Sequence, residues 1–164
     1  MLHFGGRPPF NFGKFLAICE DLLPAANSEV LRKLTQGEIA GKDGAVLRQW
    51  IDFDRSLRNE LVKVRAGRKH IDPAKHLRGD YDYIDPDLSR LAISAYRNPS
   101  LLEGERMLDE ARWRKLEELS LGHYFDFDCL IIYALKLLIV LRWQALAEAD
   151  KAALLEGVFK KAAS

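Results

Sequence analysis

The fold is decided by residues 98–147, NPSLLEGERMLDEARWRKLEELSLGHYFDFDCLIIYALKLLIVLRWQALA. In the first half of this stretch, apolar residues at helical spacing form one stripe: Leu101, Leu108, Leu116 and Leu119. The second half is apolar almost throughout residues 127–143, and a short turn containing Gly122 separates the two halves. We therefore predict two long helices, 99–120 and 126–147, which fold back on each other as a long antiparallel C-terminal hairpin.

Charged side chains interrupt the apolar faces of both predicted helices. At 100° per residue, Glu105, Asp109 and Arg112 fall inside the stripe of the first helix, whereas Lys136 and Arg142 interrupt the second. Folding the pair about residues 121–125 brings Lys136 level with Asp109, and Arg142 roughly level with residues 103–105. We predict that these five residues form a buried ion cluster that fixes the register, because an unpaired lysine on so apolar a helix would be costly. Two alternatives stay open: a polar seam that faces a partner protein, and a desolvated lysine that acts as a catalytic base.

The rest of the chain carries helix signals and no strand signal. Residues 1–10 contain two glycines and two prolines, which favour an extended arm, and residues 67–84 lack a sustained period, which favours a basic loop with at most one helical turn. Candidate N-caps precede most of the other helices: Asn27, Asp43, Asp85, Asp126 and Asp150. We predict a single all-α domain over residues 1–164, an irregular bundle of six to seven helices at about 11–23, 28–35, 44–66, 86–96, 99–120, 126–147 and 151–161.

Composition narrows the class of protein. A formal net charge of +1 argues against a protein that binds nucleic acid through bulk electrostatics. Cys19 and Cys129 both lie among apolar residues, as reduced core thiols do, and this favours a cytoplasmic location. The N-terminal residues lack the apolar core of a signal peptide. The run 127–143 carries three charged residues, which favours a buried helix of a soluble protein over a membrane span.

No motif for catalysis, a cofactor or a metal occurs in the sequence. The sequence lacks the patterns His-Glu-x-x-His and Glu-x-x-His, zinc-type cysteine pairs, the P-loop and the Gly-x-Ser-x-Gly elbow. We therefore expect a protein that is not an enzyme, holds no cofactor or metal and takes no small-molecule substrate.

A basic segment, residues 55–78, contains eight Lys and Arg against two acids. It is interpreted first as a solvated helix face, next as a docking surface for an acidic protein, and last as a nucleic-acid surface, since it has no aromatic residue for base stacking. Within it, Arg58 and Arg65 lie among apolar positions of the third helix. We take them as candidate partner-binding residues, together with three large groups near the ends of the hairpin: Trp113, His123 and Trp143.

Several short motifs resemble a bacterial family of uncharacterised proteins encoded within V-type (V/A-type) ATPase gene clusters. The similar residues are Pro8-Pro9-Phe10 with Phe15, Leu16 and Cys19; Arg58-Asn59-Glu60-Leu61 with Arg65-Ala66; Asn98-Pro99, Glu105, Leu108-Asp109, Arg112-Trp113 and Leu116; and His123-Tyr124-Phe125-Asp126, Tyr133, Leu135-Lys136-Leu137 and Arg142-Trp143. The resemblance implies a helical protein associated with a membrane rotary ATPase. Its role would be similar to that of the central-stalk socket, the component that links the rotor shaft to the membrane ring.

Three hypotheses follow from the sequence. The first is a non-catalytic assembly or connector subunit, whose partners are protein subunits of a V-type ATPase and which touches the inner face of the membrane only through them. The second is a small helical enzyme that uses Glu105, Asp109 and Lys136 in a solvated pocket. The third is a nucleic-acid-binding adaptor that uses residues 55–78 and whose binding weakens steeply with salt.

Overall fold

The computed structural model describes residues 2–36, 44–79 and 85–162, with side chains up to residue 150. Within these ranges every regular element is helical, and no strand occurs. The elements in chain order are α1 (Phe12–Leu22), α2 (Ala25–Gln36), α3 (Ala45–Lys69), a 3₁₀ turn (Pro73–His76), α4 (Pro86–Arg97), α5 (Leu101–Leu119) and α6 (Phe127–Ala162). The predicted all-α class and irregular helical bundle are confirmed.

Side-chain caps fix several of the helix starts. Asp85 Oδ1 accepts a hydrogen bond from the Asp87 amide and is followed by proline at the first helical position of α4. Asp126 Oδ1 accepts from the Cys129 amide at the start of α6. Such caps each stabilise a helix by about 1 kcal/mol.

The predicted N-cap of α2 differs from the structure, and that of α3 lies outside the described residues. The prediction that Asn27 caps α2 is wrong: the helix begins at Ala25, after Pro24, whose carbonyl accepts from the Asn27 amide. The predicted cap Asp43 lies outside the described residues, as does the end of the predicted loop, 80–84.

The last helix differs from its prediction in length. A break near Asp150 was expected, with a separate helix over 151–161, but α6 runs without interruption from Phe127 to Ala162. Its 36 residues span about 54 Å. The segment around the expected break, AEADKAA, consists mainly of strong helix formers and contains neither glycine nor proline, so a single aspartate does not end the helix.

The chain divides into two compact units: residues 1–38 with 125–164, and residues 39–124. Because α5 belongs to the second unit and α6 to the first, the hairpin between them stays a prediction. The assignment of the whole chain to one domain also stays a prediction.

In the first unit, α1 and α2 both pack on α6. Aromatic rings form much of this contact, with the Phe15 and Tyr133 centroids 5.5 Å apart and the rings of Phe10 and Phe12 beside Phe15. Cys19 is buried here, and burial raises the pKa of its thiol. The predicted placement of Cys19 in the core is confirmed.

In the second unit, α4 packs against both α3 and α5. The core is aliphatic and consists of Leu57, Leu61, Leu88, Ala92, Ala95 and Leu108. Gly104 of α5 crosses the end of α4 so closely that a Cβ there would lie 2.5 Å from the Ala95 carbonyl oxygen. The absence of a side chain at this position permits the two helices to approach so closely.

Candidate functional site

A buried ion cluster joins α3 to α5, with Arg112 at its centre. The Arg112 Nε atom lies 2.8 Å from Asp54 Oδ1, and its Nη1 atom lies 2.8 Å from Asp109 Oδ1. The other oxygen of Asp54 lies 2.6 Å from Arg58 Nε. The Asp109 side chain is 2% exposed and that of Arg112 13%, whereas Arg58 is largely in solvent.

The electrostatics of this cluster favour a permanently charged arginine. Burial by itself lowers the pKa of Arg112, but the carboxylates of Asp54 and Asp109 outweigh burial, so the pKa is raised overall. A guanidinium held between two carboxylates offers no proton for transfer near neutral pH. The arrangement therefore fixes the relative position of α3 and α5, as a paired and hydrogen-bonded buried charge can.

Sequence reasoning found part of this cluster. Asp109 and Arg112 were both assigned to a buried network, and the structure brings them together. Asp54 was missed, although it lies at helical spacing from the buried Trp50 and Leu57, which places it on the inner edge of α3.

The other members of the predicted cluster lie elsewhere. Glu105 is half-buried and lines a cleft described below. Lys136 is half-buried and Arg142 is exposed, both on α6 in the other compact unit. Each of these three residues has an interaction partner, and the pairing of Lys136 with Asp109 or Glu105 stays a prediction.

Asn59 attaches the basic loop to α3. Its Nδ2 donates to the Arg78 carbonyl at 3.0 Å, and its Oδ1 accepts from the Arg78 amide at 3.1 Å. The Asn59 side chain is almost fully buried and Arg78 is exposed, so both bonds are partly buried. The next residue, Glu60, is also buried and is bridged by Lys63 at 3.0 Å. The Arg58-Asn59-Glu60-Leu61 motif thus supplies an ion pair, a loop anchor, a buried carboxylate and a core residue in succession.

A cleft of about 210 Å³ opens beside this scaffold, in the second unit. Its apolar walls include Leu61, Pro99 and Leu101, and Arg65, Tyr96 and Glu105 stand at its polar edges. The Tyr96 hydroxyl accepts a hydrogen bond from Arg68 at 3.2 Å, and the Arg68 guanidinium lies 5.8 Å from the centre of the Tyr96 ring. Of the two arginines proposed for partner binding, Arg58 is thus held by Asp54, while Arg65 faces a cleft.

The three large groups predicted near the hairpin ends have different surroundings. Trp113 is buried and its indole N–H donates to Glu117 Oε1 at 2.8 Å, so it serves the core of the second unit. His123 is half-buried, and its backbone amide donates to the Ser120 carbonyl. Trp143 meets Phe4 edge-on at 6.4 Å and lines a cavity of about 420 Å³ between the N-terminal arm and α6.

Much of α6 is strongly apolar. Its segment Phe127–Asp150 is long and apolar enough to cross a membrane, with a mean hydropathy of 1.8, and 39% of the most apolar window is buried within the protein. Length and composition alone are a weak indication, because the core helix of a soluble protein passes the same test.

The fold and the ion cluster define a helical protein whose charged interior residues hold helices together. The family model described as "Protein of unknown function (DUF2764)" matches residues 80–161, half of the chain, and the chain belongs to this family. No curated protein and no solved structure matches it.

Proposed function

We propose that this protein is a non-catalytic assembly or connector subunit of a bacterial V-type ATPase, with a role similar to that of the central-stalk socket. The link to the ATPase comes from the resemblance described above. The observation that carries the non-catalytic role is the closure of Asp109, which is buried and bound by Arg112. One of the two carboxylates that the enzyme hypothesis uses therefore joins two helices instead.

The enzyme hypothesis requires Glu105, Asp109 and Lys136 to open together onto a solvated pocket. Asp109 is 1% exposed, and only Glu105 of the three lines the 210 Å³ cleft. That cleft is smaller than the 300 Å³ or so at which typical small-molecule pockets begin. These features argue against catalysis by the three residues of this cluster.

The nucleic-acid hypothesis requires unpaired cations along residues 55–78. Three cations in the first half of the segment are instead bridged to acids of the same helix: Arg55 to Asp52, Arg58 to Asp54, and Lys63 to Glu60. Cations that are already paired release fewer counterions when they meet phosphates. This pattern favours a solvated helix face over residues 55–63, and the other five Lys and Arg of the segment follow Lys63.

The proposed location is the cytoplasm, at the inner face of the membrane, with membrane contact made through the ATPase. Washing isolated membranes at alkaline pH distinguishes this from insertion of α6. A protein held by other subunits is released into the supernatant, whereas an inserted α6 keeps the chain in the membrane pellet.

Affinity purification tests the association itself. The chain is tagged at its chromosomal locus in the native host, solubilised membranes are purified on the tag, and the eluate is quantified by mass spectrometry. The proposal expects several V-type ATPase subunits to be enriched over a purification with an unrelated tagged helical protein. Their absence from a well-folded bait would overturn it.

A further inference from the structure

The cleft at the junction of α4 and α5 combines a small apolar cavity with exposed apolar side chains. Leu101 is 82% exposed at its rim, and its neighbour Leu102 is 44% exposed. Large apolar side chains at the edge of a concave site are a common feature of protein-binding surfaces. At about 210 Å³ the cavity has room for one large side chain of a partner, rather than for a metabolite.

The charge on the α3 side of the cleft is positive, whereas α5 contributes the carboxylate of Glu105 to the lining. Arg65 and Arg68 lie one turn apart near the end of α3, Lys69 follows, and no acidic residue occurs between Glu60 and Asp72. Glu60 is itself bridged by Lys63. Beyond Glu60, α3 therefore has no acid of its own that could neutralise these cations.

The two arginines are held differently, and only Arg65 lines the cleft, while Arg68 contacts the lining residue Tyr96. Arg68 is fixed against Tyr96 by a hydrogen bond and by its position over the ring. Arg65 is exposed, and among the described residues nothing pairs with its guanidinium. A fixed arginine and an unpaired one beside an apolar cavity are complementary to carboxylates that flank an apolar side chain.

We propose that the cleft bounded by Arg65, Tyr96, Leu101 and Glu105 binds an acidic amphipathic segment of a partner protein. One apolar side chain of that segment enters the cavity, and a neighbouring carboxylate pairs with Arg65. The inference rests on the proposed role as a protein-binding subunit, and it does not depend on which protein the partner is.

Site-specific photo-cross-linking in the native host tests this surface. The cross-linker p-benzoylphenylalanine replaces Leu102, which lies beside the cleft without lining it. The yield is compared between the otherwise unchanged chain, Arg65→Glu and Arg106→Glu. Arg106 is the matched control, because it is also an exposed helical arginine of the second unit but pairs with Glu110 and does not line the cleft. Circular dichroism confirms that both variants fold.

The expected result is a cross-link to one protein, in a segment where an apolar residue adjoins Asp or Glu. The yield falls by about tenfold in Arg65→Glu, the change expected for reversing a charge that pairs across an interface, and is unchanged in Arg106→Glu. The inference is overturned if the yield in Arg65→Glu is unchanged, if the cross-linked segment is basic or uncharged, or if no cross-link forms. It is also overturned if the cross-link leads to a second copy of this chain, to lipid or to nucleic acid.

The outcome also separates this inference from the proposed function. If the acidic segment belongs to a protein outside the V-type ATPase, the cleft assignment holds and the ATPase assignment loses its support. If the cross-link yield is unchanged in Arg65→Glu and the chain still co-purifies with the ATPase, the association holds and the cleft assignment fails.

Discussion

Replacing Arg112 by methionine should destabilise the protein strongly. The substitution keeps an apolar stem of similar length but removes the guanidinium that binds Asp54 and Asp109. The Asp109 side chain is 2% exposed, so water cannot replace the lost partner. Removing one member of a buried ion pair typically costs 3–5 kcal/mol. We expect about 3 kcal/mol here, because Asp54 is 17% exposed and keeps Arg58.

The assay is urea unfolding followed by circular dichroism. With a urea dependence of about 1–3 kcal/mol per molar, the loss lowers the unfolding midpoint by roughly 1–3 M. Arg106→Met is the control: it removes an exposed pair whose partners are each about half exposed, and should change stability by less than about 1 kcal/mol.

The double variant Arg112→Met/Asp109→Leu sharpens the test. It replaces the Arg112–Asp109 pair by apolar side chains, an exchange that is often neutral or favourable in other proteins, so its cost should be well below the sum of the two single costs. A single Arg112→Met variant as stable as Arg106→Met would refute the structural role of the cluster.

Three further predictions use other features of the structure. Gly104→Ala should lower the free energy of unfolding by about 1–3 kcal/mol, because its Cβ would lie 2.5 Å from a backbone carbonyl oxygen. Gly67→Ala, with open space around the new Cβ, should raise the free energy of unfolding by up to about 1 kcal/mol. Changes of the same sign in urea unfolding would contradict this. Asn59→Ala should cost about 1–3 kcal/mol and speed hydrogen exchange at the Arg78 amide, and unchanged exchange there would exclude the anchor. Burial raises the pKa of Cys19 above its ordinary value of 9.0, so the stability that the neutral thiol contributes is full below about pH 9 and is lost as the pH rises further. Cys19→Val should therefore reduce the fall in the urea unfolding midpoint at alkaline pH. An equal fall in both proteins would contradict this.

Helices and buried charges could be predicted from local pattern, but contacts between distant segments could not. The stripe on α5 gave Asp109 and Arg112 inward positions, because helical periodicity depends only on neighbouring residues. The bond between Asn59 and Arg78 joins residues 19 apart through a loop without periodicity, so no local signal marks it. The close approach at Gly104 depends on how α5 crosses the end of α4, which the sequence of neither helix specifies.

The error at Asp150 has a similar cause. Aspartate is a good N-cap, but it is also tolerated within a helix when its neighbours are strong helix formers. The sequence marked Arg65 only as a basic residue among apolar ones and did not predict the cleft that it lines. Its walls come from three separate parts of the chain: α3, the end of α4 and the start of α5.

Deleting the gene in the native host tests the central claim most directly. The amount of intact V-type ATPase in solubilised membranes is measured on native gels, beside a strain complemented with the unchanged chain. A connector or assembly role predicts that deletion leaves less intact complex and more free soluble head, and that complementation restores the complex. An unchanged amount of intact complex after deletion would contradict the proposed function.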